Sequence, residues 1–116
     1  MSIDRTERPP ATLAATSDNR LAVVSLIDRT GLPAPTLVPR PDAVHIVVTD
    51  PDDLGEWLDA LGGEIHISAP FEGVETWTLH TKTEPRADGT AVALRVSVAV
   101  VAGELVMDYI RAAVTA

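Results

Sequence analysis

Cysteine is missing from this 116-residue chain, which excludes disulfides, thiolate metal sites and cysteine nucleophiles together and fits a reducing interior. Aromatic residues are nearly missing too: two Trp, one Tyr and one Phe, 3% of the sequence. The core must therefore be built from Val, Leu, Ile and Ala, and Val dominates the strand-like segments. Basic residues are scarce, nine Lys and Arg against 17 Asp and Glu, for a net charge of -8. A phosphate backbone is repelled on average, so general nucleic-acid binding is not expected. No apolar run approaches the ~20 residues that cross a bilayer, and no charged-then-apolar leader opens the sequence. The expectation is a soluble cytoplasmic protein with no membrane partner. Lys82 is the single lysine and Asn19 the single asparagine, a bias expected of a GC-rich genome. Glycine-rich phosphate loops, His-Glu-x-x-His and Gly-x-Ser-x-Gly are all lacking, and Ser25, Ser68 and Ser97 have no evident base. No catalytic residue is assigned, and an enzyme is the less favoured reading.

What is present reads as one α+β domain. Residues 1–10 mix charges with Pro9-Pro10 and read as a flexible arm; residues 11–116 are the domain. A helix is expected over 11–30, with Leu21, Val24 and Ile27 at helical spacing and Gly31 as the stop. Residues 31–42 carry Pro33, Pro35, Pro39 and Pro41, none able to donate to a ladder, and read as an extended connector. A βαβββ unit follows over 43–101. Its first strand is 43–49. Asp50-Pro51-Asp52-Asp53 then opens a helix with a cap, a proline at the first position and carboxylates at the positive dipole end. Leu54, Trp57, Leu58 and Leu61 form one apolar stripe, and Gly62-Gly63 ends it. Strands over 64–69, 74–83 and 90–101 alternate apolar and polar residues, with turns at Pro70-Phe71-Glu72-Gly73 and Arg86-Ala87-Asp88-Gly89. A closing helix spans 103–115. The order is α-β-α-β-β-β-α, a four-stranded, mostly antiparallel sheet with helices packed on one face. Trp57 and Trp77 are expected in the core.

The polar face of that sheet holds the candidate sites. Parity puts His45, His66 and His80 on it, one on each of the first three strands. A turn centred near Glu72-Gly73 sets His66 opposite His80, with Cβ atoms roughly 4.5–5.5 Å apart. If the first strand lies beside the second, His45 joins them, and three imidazoles form a site for a divalent metal such as zinc. No other cofactor is indicated. The fourth strand offers a different surface, the small or outward residues Ala91, Ala93, Arg95, Ser97 and Ala99. They permit close approach of a partner, and a long strand at a sheet edge invites pairing.

The stretch His45-Ile-Val-Val-Thr-Asp50, followed by an amphipathic helix ending in Ala60-Leu61-Gly62-Gly63 and three strands, resembles one module of the glyoxalase and bleomycin-resistance (vicinal oxygen chelate) superfamily. That resemblance implies His45 as a first-strand metal ligand and two modules enclosing one site. The fourth-strand glutamate ligand of that family has no counterpart between Thr90 and Val101. The Leu32-Pro33-Ala34-Pro35 connector between a helix and a strand, helix and meander resembles small actinobacterial and actinophage proteins, and implies no activity. The function expected from the residues is a non-enzymatic protein-interaction module that self-associates, a homodimer or a complex with another protein. The alternatives are a dimeric metal- or small-molecule-binding protein of glyoxalase type, and an acidic mimic of DNA charge.

Overall fold

The computed structural model describes residues 10–115, so the arm expected over residues 1–10 lies outside the described residues except for Pro10, which begins the first helix. Helix α1 (Pro10–Thr30) leads into β1 (Thr36–Pro39) and β2 (Val44–Val47); α2 (Pro51–Leu61) follows, then β3 (Glu64–Ile67), β4 (Val74–Lys82), β5 (Ala93–Val101) and a short α3 (Asp108–Ala112). The α+β class is as expected, but the sheet has five strands, in the order β1-β2-β5-β4-β3. The additional strand is β1, inside the proline-rich connector. It pairs antiparallel with β2 and has no described strand on its other side. An edge strand needs its amides on one side only, so prolines at and beyond its ends are tolerated. The sheet is also mixed, because β2 runs parallel to β5 while β5, β4 and β3 form an antiparallel meander. Of residues 90–101, expected as the last strand, 93–101 form β5, the central strand.

Helix α2 begins as its sequence requires. The Asp50 side chain accepts from the Asp52 amide at 2.8 Å, and Pro51 occupies the first turn. Leu54 and Trp57 are fully buried against β4 and β5. The Trp57 indole Nε1–H donates to the Pro33 carbonyl at 2.7 Å, which ties the connector to the helix. Gly55 sits beneath α3, where a Cβ would collide with Tyr109 and come within 2.8 Å of Ile110 Cδ1.

Helix α1 is rotated from its expected setting. Val23 and Leu26 are buried, while Leu21 is exposed. The helix has little amphipathic contrast, so its docking fixes the rotation: Asn19 Nδ2 donates to the carbonyls of Arg40 at 3.0 Å and Pro41 at 3.1 Å. The closing helix is shorter than expected; residues 103–107 form a turn and loop, with Val106 buried and Leu105 exposed. Val23 and Leu26 of α1, Leu54 and Trp57 of α2 and Ile110 of α3 form one core with Ile46, Ile65, Leu79, Val96 and Val98 from alternate strand positions. All three described helices therefore serve the same face of the sheet, and among the described residues nothing covers the other face.

Candidate functional site

The register lays the open face out in rows. One row reads Val38, His45, Arg95, His80, Glu64 across β1, β2, β5, β4 and β3; the next reads Thr36, Val47, Ser97, Thr78, His66. The three histidines are on this face, as parity requires, but they do not gather. Arg95 stands between His45 and His80, so two inter-strand spacings, roughly 9.5 Å of backbone, separate them. The first strand of the unit lies beside β5 rather than beside β3, because the crossover through α2 returns the chain to the far edge of the meander.

His66 and His80 do meet, by a route other than direct opposition. The residue opposite His66 is Thr78, and the residue opposite His80 is Glu64. Glu72 and Gly73 both take positive φ, and Phe71 and Val74 exchange backbone hydrogen bonds at 2.8 and 3.0 Å, a tight two-residue turn. Between Ser68, which bonds Thr76, and Phe71 the chain carries one residue more than the facing strand. This bulge at Ala69-Pro70 moves the register. The net slip is two positions, so parity survives and the rings touch diagonally, with centroids 4.4 Å apart and planes inclined at 58°.

Around that pair the charges are unevenly placed. Glu64 Oε1 lies 3.7 Å from His66 Nε2 and accepts from Thr115 Oγ1 at 3.3 Å, toward the β3 edge. Arg95 donates through Nη1 to its neighbour's carbonyl, Leu94, at 3.0 Å. The His80 pKa is held below the ordinary histidine value, first by burial, then by the Arg95 charge and by His66, with Glu64 opposing. Thr78 and Ser97 share a hydroxyl hydrogen bond of 3.0 Å across β4 and β5. Among the described residues no group of three or more His, Cys, Asp or Glu side chains is placed to hold a metal ion.

Of the surface expected on the last strand, Ala93, Arg95, Ser97 and Ala99 lie on the open face at its centre, while Ala91 sits in the loop before β5. Their strand is not an edge, so edge pairing does not apply to them. The true edges are closed to that use: β1 is bounded by prolines, and β3 is bridged by Val114, with the Ile65 amide donating to Ala113 and the Thr115 amide to Ile65. Sequence reasoning passed over the valines of this face. Val38, Val47, Val74 and Val101 are all exposed there, and Val47 shares the parity of His45, a signal already present in the alternation.

No family model, curated protein or solved structure matches the chain. Among the described residues, no helix is long and apolar enough to cross a membrane.

Proposed function

We propose that the chain is a non-enzymatic interaction module that self-associates through the open face of its sheet. The observation that carries this reading is one-sided packing: every helix among the described residues lies on one face, while the other exposes Val38, Val47, Val74 and Val101 along its margins beside a central strand carrying Ala93, Arg95, Ser97 and Ala99. Blocked edges leave the face as the part of the sheet available to a partner. From the strand lengths, its planar area is roughly 500 Å² before side-chain relief. Two copies face to face would bury about 1,000 Å² or more, the threshold of a specific interface. A second copy supplies a surface of the same shape and apolar content, as a two-fold dimer requires. A metal-dependent dimer is less well supported, since Arg95 places a fixed positive charge between His45 and His80.

Sedimentation velocity on designed variants tests the proposal. Ser97→Arg and Val101→Asp put charge on the face without entering the core, and both are expected to sediment as monomers under conditions where the parent chain is dimeric. Leu105→Asp, on the loop after β5, is the control and leaves the dimer intact. A dimer that survives both face substitutions rules the interface out.

A further inference from the structure

At one end of the open face, where β3 starts and leaves the ends of β4 and β5 uncovered, lies a shallow depression of about 460 Å³. Lys82, Arg95 and His80 line it together with Leu61 and Ala93. The register makes His80 and Arg95 direct neighbours and places Lys82 two residues along β4, opposite Ala93. In a chain of net charge -8, this brings two of nine basic residues to one hollow. Among the described residues neither has a carboxylate within 4.0 Å; the ion pairs found there are Arg29–Glu84 and His66–Glu64. The fork of Arg95 spends one nitrogen on the Leu94 carbonyl and keeps donors for a planar acceptor.

We propose that this depression binds a small organic carboxylate, with Arg95 and Lys82 taking the charged head and Leu61 and Ala93 bounding a short aliphatic tail. A carboxylate suits a guanidinium fork, which it engages in two parallel hydrogen bonds. The apolar wall favours a ligand with a hydrocarbon part over a bare inorganic anion. The hollow falls in the size range of small-molecule sites. His80 lines the hollow beside them, with its pKa lowered first by burial and then by the Arg95 charge. Glu64 also lines the hollow and is the one residue there that opposes an anion, but its carboxylate is engaged at the strand edge by Thr115 and faces His66. His80, Ala93 and Arg95 also belong to the face proposed to join two copies, so the site is one of the single chain, and a ligand there competes with a second copy.

The probe is sodium butyrate, followed by amide chemical shifts of the full chain at constant ionic strength near neutral pH. Saturable shifts are expected at Gly63, His80, Lys82 and Arg95. Arg95→Gln weakens binding by about tenfold or more, as loss of a charge-assisted bond should, and Glu64→Gln tightens it. Shifts that do not saturate, or that persist unchanged in Arg95→Gln, overturn the assignment. So does inorganic phosphate binding the same residues more tightly than butyrate.

Discussion

Replacing Trp57 with Phe tests how the connector is held to the core. The ring of Trp57 is fully buried, and its Nε1–H supplies a hydrogen bond to Pro33, whose carbonyl belongs to the extended segment between α1 and β1. Phenylalanine keeps an aromatic ring but removes the donor. Leaving the Pro33 carbonyl without its partner costs about 1–3 kcal/mol, and the void left by the smaller ring adds about 1 kcal/mol. The expected loss is about 2–4 kcal/mol, read as a fall in melting temperature of about 4 °C for each kcal/mol in a domain of this size. Trp77→Phe is the matched comparison. It removes a similar volume from a buried site, but its indole donates to the Glu75 carboxylate at 3.2 Å, a flexible group able to turn to water. Trp77→Phe should therefore cost about 1–2 kcal/mol less. Urea titrations of the two variants, with the Trp57 indole proton protected from exchange in the parent, complete the assay. Equal losses in the two variants, or a Trp57→Phe protein as stable as the parent, would refute the reasoning.

Further tests address the site and its supports. Gly63→Ala should destabilise by about 2 kcal/mol or more, because Gly63 has φ of 118° and a Cβ there would collide with the His80 carbonyl; a normal melting temperature would contradict the close approach of β3 to β4. Asp50→Ala removes the α2 cap and should cost about 1 kcal/mol, measured by denaturant midpoint. His80 has a lowered folded-state pKa, so the unfolded chain binds the proton more readily. Its contribution is complete well above 6.5 and is lost as pH falls from there through the folded value. The urea midpoint should drop less between pH 7 and about pH 5 in His80→Gln than in the parent, and identical pH slopes would remove His80 from the account.

The sequence shows some parts of this molecule clearly and others hardly at all, for identifiable reasons. Helix α2 was legible because three independent signals coincide at Asp50, Pro51 and the Leu54, Trp57, Leu58, Leu61 stripe. Strand parity was legible because one face is buried, so Ile65, Leu79 and Val96 could point only inward. Strand order was not, since nothing local in residues 90–101 says that they pair with both β2 and β4. Strand β1 was hidden by its prolines, which forbid a central strand but permit an edge. The contact of His66 with His80 came from an expected opposition that does not occur; the position of the turn and an extra residue near Pro70 each move the register by one, and the rings meet diagonally instead. The anionic-ligand hollow had no sequence signal, because Leu61, Lys82 and Arg95 are brought together only by the register of β4 with β5 and the end of α2.

Light scattering on untagged protein across the micromolar range, with and without zinc, tests most directly whether the open face joins two copies. The expected mass is about twice the 12.3 kDa of one chain, reached at rising concentration and unchanged by zinc. A single-chain mass at every concentration, or a dimer that forms only when zinc is present, would contradict self-association through the valine-rich face.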